Sequence, residues 1–383
     1  MNKVAIVHDW LTTYSGAEKV LANILTIYPA ADVYTLVDFM PVNDRAFLNG
    51  HRIFTSFLQT WPWANKKYRN YLPLMPLAVE QFDLTSYDLI ISSSHAVAKG
   101  VLTGPDQLHI CYCHTPIRYA WDMQHQYLVE AGLSHGLSSW IARQILHKIR
   151  LWDLRTVNGV DHFVANSNFI KRRIFKNYRR ESRVIYPPVE IESLTVKEKK
   201  EDFYVTASRM VPYKRIPMIV EAFSKMPNKQ LVVIGEGPEM NKCRSLAGSN
   251  IKLLGYQPND KLRDLLSRAK AFVFAAEEDF GIAPIEAQAC GTPVIAYGRG
   301  GVLETVRGLN SSKPTGLFYQ EQTVESLIEA VNHFEEYGVN FIASNSCREN
   351  AERFEEQRFK KEFSQFVSDR FKEFESSKSE IKF

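Results

Sequence analysis

Two carboxylates flank a glycine turn in the stretch Ala276-Glu277-Glu278-Asp279-Phe280-Gly281-Ile282-Ala283-Pro284-Ile285-Glu286. The turn leaves an apolar run and opens a helical pattern with Pro284 in its first turn. Free backbone N–H groups therefore gather at a positive dipole end, where phosphate is attracted. Glu278 and Glu286 can face one crevice there and accept hydrogen bonds from hydroxyls such as those of a sugar. On residue type alone Glu286, near the third helical position, could equally serve as a cap. A second cluster, Ser208-Arg209-Met210-Val211-Pro212-Tyr213-Lys214-Arg215, follows the apolar run Phe203–Ala207. Arg209 and Lys214 would reach one point beyond a sheet edge, and two fixed cations there can offset a diphosphate without a metal ion. A solvated basic turn has the same composition. A third stretch, Val233-Ile234-Gly235-Glu236-Gly237-Pro238-Glu239, again reads strand, glycine turn, helix. A dinucleotide fingerprint wants another glycine at position 240, where Met240 stands, and the turn His8–Gly16 has a single glycine. An NAD-dependent oxidoreductase is thereby disfavoured.

Strands alternating with helices must position these groups. Short apolar runs at Val4–Val7, Leu89–Ser92, His109–Cys113, His162–Ala165 and Val184–Ile185 alternate with amphipathic stretches such as Ala17–Tyr28 and Asn168–Tyr178. Such alternation marks a parallel sheet covered by helices. The pattern restarts with Phe203–Ala207, Leu231–Ile234, Ile251–Leu254, Ala271–Ala275 and Pro293–Ala296, so two doubly wound α/β domains are expected. Between them, Tyr186-Pro187-Pro188-Val189-Glu190 and the charged run up to Asp202 cannot continue a helix or a central strand, which places a hinge near 186–200. The expected division is 1–190, 191–355 and a C-terminal helix over 356–383 that crosses back to the first domain. The helical pattern runs from Asn345 through about Phe374 as one segment.

A length of 383 residues suits two domains, and 45% hydrophobic with 23% charged residues is ordinary globular usage. No apolar run approaches the ~20 residues of a spanning helix. Met1-Asn2-Lys3 enters a short strand and not a signal peptide, and five scattered cysteines argue against a disulfide framework, so a cytoplasmic address is expected. Cys111 and Cys113 lack a second paired cluster, and no metal site is expected.

The ordered set of motifs resembles glycosyltransferase family 4 of the two-domain GT-B class. It runs from Ile6-Val7-His8-Asp9-Trp10 with Ser15-Gly16-Ala17-Glu18, through Cys113-His114-Thr115-Pro116-Ile117-Arg118-Tyr119-Ala120-Trp121-Asp122, to Gly291-Thr292-Pro293-Val294 and Gly300-Gly301. The His114–Asp122 stretch, Lys214-Arg215 and Thr305-Val306 are similar to the branch of O-antigen mannosyltransferases that use GDP-mannose. The resemblance implies a retaining, metal-independent hexosyltransferase that needs no cofactor beyond its nucleotide-sugar substrate. It implies Arg209 and Lys214 on the diphosphate, Glu286 on the ribose, Glu278 facing the donor sugar, and backbone amides of Phe280, Gly281 and Ile282 on sugar and phosphate. Tyr256 and Gln257 would cradle the base, and Gly16 would open the first helix beside the reaction centre, with Ser15 where many members have a second glycine. His114 matches a histidine near the transferred sugar; without the resemblance, a histidine at a strand end is more often a satisfied structural residue. Closure about the linker would complete the site.

Residues 139–183 carry eleven Lys or Arg and three Asp or Glu, against a net +4 for the whole chain. Trp140, Ile141, Ile145, Ile149 and Trp152 recur at helical spacing beside Arg143, Lys148 and Arg150, and Trp61-Pro62-Trp63-Ala64-Asn65-Lys66-Lys67-Tyr68 mixes aromatic and basic residues similarly. These stretches suit peripheral contact with an anionic membrane at its inner face and a lipid-linked saccharide acceptor in polysaccharide or O-antigen assembly. An ordinary core stripe with a solvated face is the competing reading. Nucleic acid is not an expected partner. The rival functions are a transferase using another nucleotide sugar or a soluble acceptor, and a sugar-nucleotide binding protein without turnover.

Overall fold

The computed structural model describes residues 3–380. The chain forms two compact units, one built from the residues up to Pro188 together with those from Gln357 onward, the other from Val189–Glu356.

The first unit is a parallel sheet of seven strands: β1 (Val4–His8), β2 (Asp32–Thr35), β3 (Ile53–Thr55), β4 (Leu89–Ser94), β5 (Leu108–Cys113), β6 (His162–Ala165) and β7 (Ser182–Val184), in the order β3-β2-β1-β4-β5-β6-β7. The second has six parallel strands: β8 (Tyr204–Ala207), β9 (Leu231–Ile234), β10 (Ile251–Leu253), β11 (Ala271–Phe274), β12 (Val294–Tyr297) and β13 (Gly316–Tyr319), ordered β10-β9-β8-β11-β12-β13. Strands buried on both faces by crossover helices read as the near-continuous apolar runs seen in the sequence. The chain order reverses direction between β1 and β4, and again between β8 and β11. The connections diverge there and leave a crevice at the carboxyl ends of the strands.

Three strands carry no sequence signal of their own. β2 begins with the buried Asp32, whose carboxylate is held by Arg52 and by the Tyr87 hydroxyl at 2.6 Å. β3 is a short edge strand, and β13 opens on Gly316, whose missing Cβ admits the carbonyl of Val294 on the neighbouring strand.

The segment after Asn345 is two helices and not one. Ser344–Glu352 ends at a break where Val189 N–H donates to the Phe354 carbonyl at 2.8 Å, and Glu356–Glu380 follows. Phe359, Phe363 and Val367 of that last helix are buried in the first unit's core with Ile6, Ile91, Ile110 and Tyr112. The rings of Phe359 and Phe363 stack at 5.5 Å, a pairing that their i, i+4 spacing on the helix makes possible. The helix thus completes one face of the first sheet, while residues 189–200 of the expected hinge region lie with the second unit.

Candidate functional site

In the second unit the charged groups collect at the switch point. Beyond β8 the chain extends through Arg209, makes a single helical turn at Pro212–Lys214 and enters the helix Ile216–Ser224 through Arg215 in the left-handed region. Beyond β11 it passes Glu278 and turns at Gly281, with φ of 91°, into the helix Ile282–Ala289. Because β8 and β11 are neighbours, Lys214 and Glu278 meet: the Lys214 ammonium and the Glu278 carboxylate form an ion pair, each mostly shielded from solvent. Arg209 lies exposed on its loop. Glu286 is the fifth residue of its helix and not the third, where Pro284 sits, so the capping-box role does not apply to it. It is half-buried.

Glycines set the closeness of these loops. A Cβ on Gly235, at φ 120°, would collide with the carbonyl of Ser208, and one on Gly237 would meet the Met210 carbonyl at 2.5 Å. The Gly235-Glu236-Gly237 turn is therefore the bed on which the Arg209 loop lies, fixed by Met210 N–H donating to the Glu236 carbonyl at 2.8 Å. This packing role accounts for two glycines without a dinucleotide fingerprint. Gly300 and Gly301 do the same for the other wall, where a Cβ would strike the backbone of Glu278, Asp279 and Phe280, and Gly301 N–H donates to the Glu278 carbonyl at 2.7 Å.

Tyr256 and Gln257 follow β10. The Tyr256 side chain is 72% exposed, whereas the Gln257 amide donates to the carbonyls of Leu254 at 2.7 Å and Tyr256 at 2.8 Å. Their loop joins the Arg209 bed through Gly235 N–H on the Gly255 carbonyl and Tyr256 N–H on the Glu236 carboxylate. The Phe280 ring is buried edge-on against Phe354, so among the Phe280–Ile282 positions it is the backbone that lies at the helix start.

The first unit carries a second cluster at its own switch point. Asp9, just past β1, is fully buried and accepts four backbone N–H bonds, from His95, Ala96, Val97 and Ala98, at 2.6 to 3.0 Å. The His95 ring stands 3.0 Å from the same carboxylate. Burial alone would raise the Asp9 pKa, but the His95 charge and hydrogen bonds outweigh it and hold the group below the usual carboxylate range. His95 moves the opposite way: burial opposes its charge, yet Asp9 raises its pKa. Neither residue was singled out from sequence, and an Asp directly after the first strand was the available signal.

His114 follows β5 and is 9% exposed. Its Nε2 lies 2.9 Å from the Ser93 hydroxyl, and its backbone is fixed by Ser94 and Asn166. Burial, with the nearby charge of His95, lowers its pKa to about 3, so the ring is neutral at physiological pH. His109 on β5 offers a contrast: both its ring nitrogens are engaged, by Ser92 and by the Gly159 carbonyl, each at 2.8 Å, which makes it structural. Nδ1 of His114 has no hydrogen-bond partner among the described residues. The motif around His114 anchors it, since Arg173 binds Thr115 and Asp122, and the Trp121 indole donates to Asp153 at 2.7 Å. Gly16 is the first residue of the helix Gly16–Ile27, and Ser15 before it closes a capping box with Glu18. Ser15 thus has a local reason to stand where a glycine was expected.

The apolar stripe of the helix Gly136–Thr156 divides between core and surface. Ile149 is buried, Ile145 packs beside it, and the Trp152 indole donates to Glu80 at 2.7 Å, so these belong to the core and not to an interface. Arg150 is likewise turned inward, donating to the Ala120 carbonyl at 2.7 Å. Trp140 and Ile141 are exposed, together with Leu137, Leu151 and Leu154. All five cysteines are buried free thiols, and among the described residues no group of three or more His, Cys, Asp or Glu could hold a metal ion. No helix among them is long and apolar enough to cross a membrane.

Comparison with known proteins bears on family and fold. The sequence matches the family Glycosyltransferase Family 4 over residues 14–193 and Glycosyl transferases group 1 over residues 190–354. It is 32% identical over 165 residues to the GDP-mannose-dependent monoacylated alpha-(1-6)-phosphatidylinositol monomannoside mannosyltransferase of Corynebacterium glutamicum, covering 38% of this chain and 42% of that protein. It is 27% identical over 220 residues to the alpha-1,3/1,6-mannosyltransferase ALG2 of Saccharomyces cerevisiae, covering 42% and 44%. The chain thus spans less than half the length of these two relatives. In fold it is similar to Anabaena HepE, solved in complex with UDP and glucose, with a TM-score of 0.68 at 16% identity over 96% of this chain and 100% of that one.

Proposed function

We propose that this chain, which belongs to glycosyltransferase family 4, moves a hexosyl group, mannose from GDP-mannose in our reading, to a lipid-linked saccharide with retention at the anomeric carbon and without a metal ion. The observation that carries the reading is the Lys214–Glu278 pair at the switch point beside Arg209 and the glycine-started helix. The names of the mannosyltransferase relatives support the choice of sugar.

In this reading the diphosphate lies between Arg209, Lys214 and the backbone amides at Gly281 and Ile282. Lys214 exchanges the Glu278 carboxylate for phosphate, and Glu278, so released, accepts a hydrogen bond from a donor-sugar hydroxyl. The bond from the anomeric carbon to the phosphate oxygen breaks through an oxocarbenium-like state. The acceptor oxygen bonds to the same face of that carbon, and its proton passes to the departing phosphate. Arg209, Lys214 and the helix end stabilise the charge that develops there. Glu286 holds the ribose, Tyr256 and Gln257 hold the base, and His114 accepts a hydrogen bond from a sugar hydroxyl.

Membrane contact belongs to the same proposal. Leu137, Trp140, Ile141, Leu151 and Leu154 form an exposed face beside Lys148, and Trp63 stands exposed near Lys66 and Lys67. Apolar side chains framed by cations suit an anionic bilayer surface, where a lipid-linked acceptor resides.

Thermal-shift measurement with GDP-, UDP- and ADP-sugars tests the donor. A ligand that binds only the folded state raises its melting temperature by mass action, so GDP-mannose should stand out, and preference for UDP or ADP would overturn that choice. Transfer that survives exhaustive chelation is expected, whereas strict dependence on magnesium or manganese would overturn the charge scheme. Sedimentation with vesicles should require anionic lipid.

A further inference from the structure

Three adjacent strands deliver a line of polar groups to the edge of the first unit. His8 ends β1, its cross-strand neighbour Ser93 lies near the end of β4, and His114 follows β5. The Ser93 hydroxyl stands 3.1 Å from His8 Nδ1 and 2.9 Å from His114 Nε2. His8 Nε2 faces Glu18 Oε1 at 3.5 Å, and His8, Ser93 and Glu18 are all buried. Glu18 Oε2 is already occupied by the Ser15 amide and hydroxyl, which leaves Oε1 for the histidine.

We propose that Glu18, His8 and Ser93 are positioning residues that hold His114 as its Nε2–H tautomer, leaving Nδ1 bare to accept a hydrogen bond from a substrate hydroxyl. The proposal rests on the reading that His114 meets a sugar.

Proton counting carries it. A carboxylate only accepts, so the His8 nitrogen turned to Glu18 must bear the proton. The Glu18 pKa supports this: burial raises it, yet the contacts with His8 and Ser15 bring it down to about 2, so it is ionised. In the proposed arrangement the proton facing Glu18 is the one ring proton of His8, whose Nδ1 then presents a lone pair, and the single proton of the Ser93 hydroxyl goes there. The Ser93 oxygen, having donated, can only accept from His114, which places the His114 proton on Nε2. A ring that is neutral has no second proton, so Nδ1 is an acceptor. The opposite order requires His8 to be an imidazolium: its Nδ1–H would donate to Ser93, Ser93 would donate to His114, and Nδ1 of His114 would become a donor. The line therefore couples the charge of a buried histidine to the polarity of an atom that has no hydrogen-bond partner among the described residues.

Nitrogen NMR of the full chain labelled at histidine, without any sugar present, tests the relay. His114 signals are assigned by their loss in His114→Gln. The expected spectrum shows His114 protonated at Nε2 and bare at Nδ1. In Ser93→Ala the two tautomers should mix, and kcat should fall by about tenfold with the donor KM unchanged, as when one hydrogen bond made in the transition state is lost. Glu18→Gln provides a variant whose helix cap survives, because glutamine also serves in a capping box; its amide can donate to His8, and the His114 tautomer should shift toward Nδ1–H. An Nδ1–H tautomer in the native protein, or no change in either variant, overturns the relay. A locked Nε2–H tautomer together with undiminished transfer by His114→Gln would instead overturn the site reading and leave the relay standing.

Discussion

Lys214 and Glu278 leave adjacent strands of one sheet and close an ion pair at the point where the chain order reverses. In the proposed function each side chain holds the other in the crevice ahead of the nucleotide, so neither has to be ordered at the moment of binding.

Replacing Lys214 by Ala should lower kcat/KM by roughly 10²–10³-fold, the range found when one donor to a developing anion is removed. Glu278→Ala should lower it similarly. Because the two share a contact, the double variant should lose less than the product of the single losses. A double-mutant cycle on sugar transfer measures this, and full additivity would mean that the pair is not a functional unit.

Gly235→Ala should cost about 3 kcal/mol, from the left-handed φ and from the collision with the Ser208 carbonyl together. Gly50 has φ of 88° and nothing within 4 Å of an added Cβ, so Gly50→Ala isolates the backbone component and should cost about 1 kcal/mol. Urea unfolding gives both values. Nucleotide affinity should fall only in the first variant, since it displaces the loop that carries Arg209.

Stability should fall on mild acidification. The buried His109 and His114 have pKa values lowered to about 4 and about 3, burial being the main cause in each. Below pH 6.5 the unfolded chain takes up their protons and the folded chain does not, so stability is lost as pH falls through that window. Each contributes about 1.4 kcal/mol per pH unit. Below about pH 4, protonation of Asp9 and Glu18 adds a loss of the same sign. His95 opposes this: its raised pKa gives a contribution that is full below pH 6.5 and disappears as pH rises through the folded value. Urea unfolding at pH 7.0, 6.0 and 5.0 should show the net decline, and His109→Gln should make its slope shallower.

Phe363→Ala should destabilise the first unit by about 3–5 kcal/mol, the usual cost of emptying a buried aromatic site. The fluorescence of Trp10 and Trp121, which pack within that unit, reports its unfolding.

Much of the architecture was legible because buried parallel strands write their burial into unbroken apolar runs. His162–Ala165 and Leu231–Ile234 coincide with β6 and β9, whereas β2 is hidden by a buried Asp32 whose partners, Arg52 and Tyr87, lie ~20 and ~55 residues away along the chain. The break before Glu356 was equally invisible, since apolar spacing continues across it and the bond from Val189 that fixes it comes from far along the chain. Among the site residues, the Lys214–Glu278 meeting follows from sheet order. Strand order is not a local property, and Ser93 between two histidines is likewise visible only once β1, β4 and β5 lie side by side. The outward face of Gly136–Thr156 differs from the expected one because Ile145, Ile149 and Trp152 found neighbours at Leu128, Ile117 and Glu80.

The helix Glu356–Glu380 has a consequence for synthesis. A ribosome finishes Val189–Glu356 before it makes Phe359 and Phe363, so the inserted unit has a complete sequence while the earlier one still lacks part of its interior. At ordinary elongation rates that wait is roughly ten to thirty seconds. During it, the apolar surface around Tyr112 and Ile110 has no cover from its own chain, and a chaperone that recognises nascent hydrophobic segments would find it there.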